Sequence, residues 1–304
     1  MLTKFWESLG EGLSEKWLTL LGPSLVFWAG GLFLAFGWEK IGVWSSWLLG
    51  LAVAQQVLVL IGSLVLLMAS DAFLQRMSYH VLRLLEGYWN SPFIWLKRLL
   101  IKRQKSLVGR WELQWQGLAQ KRSSPGLSVE EANRIQELES NLHYVPSAPN
   151  DYMPTTLGNI LRMAETQPRH KYGLDPVICW PRLWHLLSEP LRKELGNSRK
   201  SINESVEFWA FGVLFLLWTY WSWWAIPIGL AWAWIAYGMI LDAAKTYADL
   251  VEAAFDTQRW DLYHALHIKL PISISNEVSL GEKVSEYLWR GTLPDNIKFK
   301  HPKP

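Results

Sequence analysis

Three stretches of the chain carry no charged residue: Trp17–Trp38, Ile41–Ser70 and Phe208–Leu241. They are 22, 30 and 34 residues long, and a helix needs roughly 20 apolar residues to cross a hydrocarbon core of about 30 Å. None shows the polar face that a helix in a soluble domain keeps toward water. The pattern predicts helices that cross a bilayer. The second stretch is too long for one perpendicular span, because a helix of that length reaches about 45 Å. Its first residues, IGVWSSW, read as turn and interface, which leaves a span from Trp47 to Met68. The third stretch would reach about 51 Å as a single helix. Pro227 in WSWWAIP lacks an N–H and biases Ile226 away from helical dihedrals, so a break is expected there. The expected fold is an all-α integral membrane protein with four transmembrane helices in two hairpins and a helical cytoplasmic domain.

The charged remainder divides around these runs. Residues 1–16, with Lys4, Glu7, Glu11, Glu15 and Lys16, read as a short amphipathic segment. Residues 17–70 and 208–241 form the two hairpins, 71–207 the cytoplasmic domain, and 242–304 a stalk and tail. Within the domain, residues 92–120 read as a basic amphipathic helix. Leu107, Val108, Trp111, Trp115 and Leu118 share one face, and Lys97, Arg98, Lys102, Arg103 and Lys105 supply the charge. Such a helix suits either an anionic leaflet surface or the flank of the domain itself. SSPGLS at 123–128 is a break, and Ser128 with Glu131 forms a capping box that starts an acidic helix to Leu142. YVPSAPNDYMP is a loop. TTLGNILRMAE predicts a short helix, Asp175–Pro176 the start of another, and WPRLW its interruption. From Ser188 the pattern is helical into the third run.

The stalk carries Asp242, Lys245, Asp249, Glu252, Asp256 and Arg259 at three- and four-residue spacing, hence on one helical face. Three carboxylates on one face repel unless compensated, and Arg162, Arg182 and Arg192 are the expected partners. A second capping box, Ser279 to Glu282, predicts a further helix start before a basic tail, KFKHPKP. No β pattern of any length is present.

Composition sharpens the membrane reading. Of 21 tryptophans, four fall within WTYWSWWAIP: Trp218, Trp221, Trp223 and Trp224. Trp38, Trp44 and Trp47 bracket Glu39–Lys40 in the same way. An indole with one wet and one dry end suits the headgroup level, so both groups are expected at the membrane interface. Net charge is only +3, but residues 71–110 hold eight Lys and Arg against two acids, or +6. The positive-inside rule places that segment in the cytoplasm. The expected location is the bacterial cytoplasmic (inner) membrane, multi-pass, with both termini cytoplasmic.

The search for chemistry returns little. No phosphate-binding glycine motif or zinc-binding His pair occurs, and the single cysteine, Cys179, reads as core. Asp261, His264 and His267 fall at i, i+3, i+6, but the second carboxylate–His pair of a di-metal bundle is missing. No enzyme, no metal and no cofactor is expected. The basic run adjoins a membrane span, which argues for lipid and against nucleic acid. Gln55 and Gln56 are the only strongly polar residues expected inside a span. One of them would face protein or water, either bonded to a neighbouring helix or lining a pore.

The motifs LGNILRMAE, YGLDPVICWPRLW and DLVEAAFD, with the aromatic hairpin between them, resemble a family of bacterial two-hairpin membrane proteins over residues 155–265. No activity attaches to that family, so none is implied. The layout of two hairpins around a cytoplasmic middle is also similar to that of bestrophin-type anion channels, without their sequence motifs. Four spans without internal charge enclose too little for a conduit in one copy. The expectation is therefore a homo-oligomer, a channel or pore gated by its cytoplasmic domain. The alternative is a non-conducting scaffold that recruits a cytoplasmic protein partner. For topology, Ser222→Cys in intact cells should react with an impermeant thiol reagent from outside, and Ser124→Cys should not. Outside labelling at position 124 would reverse the orientation.

Overall fold

The computed structural model describes residues 2–122, 128–291 and 299 of the 304. The side chains of residues 2–21, 38, 39, 41, 122 and 275 lie outside that description. So do most of the SSPGLS break and of the basic tail, the side chains of the 1–16 segment, and that of Trp38.

The described chain is all-helical. In order, the helices are α1 (Leu2–Gly50), α2 (Val53–Glu86), α3 (Ile94–Arg122), α4 (Val129–His143), α5 (Thr156–Tyr172), α6 (Pro176–Leu186), α7 (Glu189–Phe215), α8 (Ala225–Ala265) and α9 (Ile274–Arg290). A 3-10 turn, Leu216–Tyr220, follows α7. Caps set several starts. The Ser128–Glu131 capping box opens α4, Thr155 accepts from Gly158 N–H at the start of α5, and Asp175 caps α6 with Pro176 at its first position. The Ser279 capping box does not form, because α9 already runs from Ile274. WPRLW does not interrupt α6 either, which continues through Pro181 to Leu186.

Two helices, α2 and α8, are long and apolar enough to cross a membrane, and α1 adds a third if its bent halves count as one span. The first bend falls at the expected Glu39–Lys40. α1 is broken at Gly37, whose φ of 67° suits a residue without Cβ. Gly22–Gly37 and Gly42–Gly50 meet there at 111°, and the chain leaves the helix only at Leu51–Ala52. Residues 41–50 thus belong with α1, and α2 starts at Val53. The second break falls at Trp221–Trp224, just ahead of Pro227 as expected. α7 does not qualify as a span by itself, since its apolar end passes into the 3-10 turn after only two helical turns.

The chain forms two compact units, Met1–Leu82 with Ser201–Ile240, and Arg83–Lys200 with Leu241–Pro304. The first has an aromatic core of Phe27, Leu74, Ala210, Phe211, Phe215, Trp218, Ala225, Trp232 and Ala236. Phe27 stands 6.0 Å from Trp218 and 5.7 Å from Phe211, ring centre to ring centre. Two polar contacts fix α1 against α2: Ser24 donates to Asp71 at 2.8 Å, and the Trp28 indole N–H donates to Ser70 at 3.1 Å. Small residues let the aromatics close. A Cβ on Gly31 would fall inside the Trp218 indole, whereas one on Gly30 would meet the Phe215 ring at 3.4 Å. Gly31→Ala should therefore lower the melting temperature in detergent, at a cost of about 1–3 kcal/mol for the overpacked core, while Gly30→Ala should stay near wild type. Equal stability of the two variants would show that the indole can move aside.

Candidate functional site

The second unit assembles its polar contacts along α8. Asp249 accepts from the Tyr144 hydroxyl at 3.0 Å and lies 3.6 Å from His143 Nε2. Glu252 accepts from Lys171 Nζ at 2.6 Å and from Gln167 Nε2 at 2.8 Å, with His143 Nε2 at 3.5 Å from its other oxygen. Asp256 accepts from the Tyr172 hydroxyl and lies 3.6 Å from Lys171. Arg259 is bound to Glu277 of α9 at 2.6 Å and lies over the rings of Tyr172 and Trp260, 4.2 and 4.1 Å from their centres. Asp242 is the exception: it is exposed and only loosely paired with Lys245 at 3.8 Å.

The stripe is thus compensated, but by other partners than the arginines expected. Arg162 pairs with Asp151 at 3.2 Å and Glu165 at 3.3 Å. Arg182 donates to the Ile178 carbonyl and Arg192 to that of Leu187. The reason is helical phase. Gln167 and Lys171, four residues apart, share the row of α5 that meets Glu252, and Arg162 is outside that row. His143 and Tyr144, at the end of α4, complete the contact. The signal available in the sequence was the Gln167–Lys171 spacing.

Chemically, this arrangement binds helices. Each of Asp249, Glu252 and Asp256 is held by a donor from α5 or the end of α4, so none stands as an unengaged base. Asp261, His264 and His267 do not share the expected helical face, because α8 ends at Ala265 and His267 has a positive φ of 56°. Among the described residues, no group of three or more His, Cys, Asp or Glu side chains could hold a metal ion. Cys179 is fully buried beside Ser285, and burial pushes its thiol up to about 11.

The pore candidates are placed differently from the mid-span position expected. Gln55 and Gln56 lie in the first turn of α2, where the helix leaves four N–H groups unpaired. Gln55 Oε1 accepts from Ala52 N–H at 3.1 Å, and Gln56 Nε2 donates to the carbonyls of Leu48 and Leu51 at 3.0 and 3.2 Å. The pair closes the turn between α1 and α2. Of the interfacial tryptophans, Trp44, Trp47, Trp221, Trp223 and Trp224 are exposed. Trp218 is not: it is 8% exposed and belongs to the aromatic core of the first unit. The apolar face of α3 turns inward as well. Val108 is buried, Leu107, Trp111, Trp115 and Leu118 are half-buried, and Trp115 donates to Glu139 of α4 at 3.2 Å. Arg98, Lys102, Arg103 and Lys105 remain exposed, with Lys97 half-buried.

Comparison with protein-family models, characterised proteins and solved structures returns no match.

The stripe predicts an alkaline limit. Burial, followed by the hydrogen bond to an aspartate, pushes Tyr144 and Tyr172 from 10 up to about 12. Burial opposes the charge of Lys171, but its hydrogen bond to Glu252 and the charge there hold its pKa above the ordinary lysine value. All three folded values lie above the unfolded ones. Their contribution is complete below pH 10 and is lost as the pH rises toward 12. The melting temperature of the full chain should fall through that window, and Tyr144→Phe with Tyr172→Phe should flatten the fall. An unchanged slope in the double variant would place the alkaline weakness elsewhere.

Proposed function

We propose that the chain is a multi-pass protein of the bacterial cytoplasmic membrane that does not conduct, a membrane-anchored scaffold whose second unit presents a helical domain to a cytoplasmic protein partner. One observation carries this reading. Each polar side chain in the apolar half of α2 is bonded to nearby backbone: Gln55 and Gln56 at the turn, Ser63 to the Leu60 carbonyl and Ser70 to that of Leu66. A conduit needs polar groups aimed at its lumen, and this helix engages its own with its local backbone.

The apolar half of α2 supports membrane insertion. Only 11% of its apolar window is buried within the chain. Side chains such as Leu58 and Val65 stand out from it, each representing about 1.5–3 kcal/mol of unmet burial in water. The +6 segment after it supports a cytoplasmic second unit. A homo-oligomeric pore, the reading the sequence suggested first, would need a polar ring from residues other than Gln55 and Gln56.

Purified protein in liposomes tests this. Ion flux should not exceed that of protein-free liposomes, and Gln56→Leu should lower thermal stability by about 1 kcal/mol or more through the lost turn bonds. Flux in the wild type whose ion selectivity changes in Gln55→Glu or Gln56→Glu would overturn the scaffold in favour of the channel.

A further inference from the structure

We propose that the outward face of α3 is a docking surface for anionic membrane lipid. It rests on the reading that α2 enters a bilayer. The face is defined by what α4 leaves uncovered. α4 packs against the side of α3 that holds Val108, and three polar links secure the pair: Trp115 to Glu139, Arg134 to Gln114 at 3.0 Å, and Lys121 to Glu131 at 3.0 Å. On the opposite side stand Trp95, Leu99 and Leu113, exposed by 66%, 57% and 70%. At about 100° per residue, Trp95 and Leu113 share one azimuth and Leu99 lies about 40° from it. The three form a narrow apolar line along the outside of the helix.

Basic residues flank that line on both sides. Arg98, Lys102 and Lys105 project to one side, Arg103 and Arg110 to the other, by the same helical phase. All five are exposed, and among the described residues none enters an ion pair. The one acidic residue of α3, Glu112, lies beyond the Lys105 edge. Apolar groups in the middle with cations on both flanks match a phospholipid surface. Leu, Trp and the methylene stems enter the boundary region, and the charged heads reach outward to phosphate.

Other occupants fit less well. A partner helix needs apolar anchors at i, i+3, i+4 and i+7, but between Leu99 and Leu113 the outward positions are Lys102, Arg103, Ser106 and Arg110. A nucleic acid would use the cations and leave the apolar line wet. Charge favours lipid too: α3 holds most of the cations of the +6 segment that follows the apolar half of α2, and each basic residue at an anionic surface contributes about 1 kcal/mol.

The test uses the full chain in nanodiscs of phosphatidylcholine, with or without phosphatidylglycerol. A fluorophore is attached in Leu99→Cys, in Leu113→Cys, or in Val177→Cys on exposed α6 as control, and quenched by a headgroup-attached nitroxide. Cys179 is buried and does not compete for label. Positions 99 and 113 should be quenched several-fold more strongly with phosphatidylglycerol than without it. High salt should weaken the effect. Reversal of Arg98, Lys102 and Lys105 to Glu should reduce the docked-to-free ratio by about a hundredfold or more, bringing quenching to the Val177→Cys level. Quenching equal in both lipids and indifferent to salt would assign the face to plain apolar contact, such as a second copy, and overturn the proposal. Absence of quenching in both, with the chain incorporated, would leave the face to water or an acidic partner and also overturn it. A chain that fails to co-elute with the discs sinks the membrane reading first, and that outcome is recorded separately.

Discussion

The second unit depends on one carboxylate. Glu252 accepts from Lys171 and Gln167 of α5 and stands against His143 of α4, so three helices meet at its two oxygens. Asp249 and Asp256, one turn to either side, repeat the arrangement with the Tyr144 and Tyr172 hydroxyls. A carboxylate taken from water is tolerated only where donors replace its hydration. That applies to Glu252, the least exposed of the three, whereas Asp249 and Asp256 keep part of their contact with water. At Glu252, packing that brought α4 and α5 out of phase would leave the charge without donors. Further along, Arg259 and Glu277 set the same condition for α9 in a more buried place. Removing one member of that pair would leave the other charged and unpartnered, which costs far more than an exposed pair contributes.

The first unit is held by the opposite chemistry. Its core is aromatic, and shape rather than charge fixes its geometry. Trp218 lies where Gly31 leaves room, within reach of Phe27, Trp28 and Trp221. The indole N–H groups of Trp218 and Trp232 are buried without hydrogen-bond partners, a cost that ring burial must outweigh. In an apolar solvent the hydrophobic effect no longer favours contact between helices, and close packing takes its place. A core of interlocking rings on small residues suits that solvent. The few polar groups, Ser24 with Asp71 and Trp28 with Ser70, sit at the end of the apolar half of α2.

Much of this was legible from local chemistry. Ser128 and Asp175 are side chains that cap helices, and each does so. Pro227 marks the break ahead of α8. The charge-free first parts of α2, to Ser70, and of α8, to Leu241, are equally plain. What failed to show depends on tertiary partners or on backbone freedom. The bend around Glu39–Lys40 is marked by its charges, but the turn at Leu51–Ala52 lies inside an apolar run and leaves no such mark. Gln55 and Gln56 look mid-span for that reason: with the second turn unseen, a pair of turn residues becomes a candidate polar ring. Trp218 belongs to a cluster of four by sequence, but only a packed Gly31 separates it from the exposed three. The arginine partners failed on phase, since helix rows decide contact and composition does not. The unmade Ser279 box shows the limit of a four-residue motif inside a longer amphipathic helix.

The distribution of charge in the second unit follows from these two facts together. Its acidic stripe is consumed internally: Lys171, His143, Gln167 and two tyrosine hydroxyls satisfy Asp249, Glu252 and Asp256, and Glu277 takes Arg259. Among the described residues the basic cluster of α3 has no such counterweight, since the polar links to α4 run through Trp115, Gln114 and Lys121 and leave those five cations out of ion pairs. A chain with a net charge of only +3 can thus present one face with five cations that, among the described residues, enter no ion pair. At physiological salt such a field fades within about 8 Å, so it attracts little from a distance. It acts on a surface that is already close. If α2 lies in a bilayer, the chain tethers α3 to that membrane, and tethering turns a weak contact into an intramolecular one. The same weakness means that salt or a competing acidic partner would break such a contact.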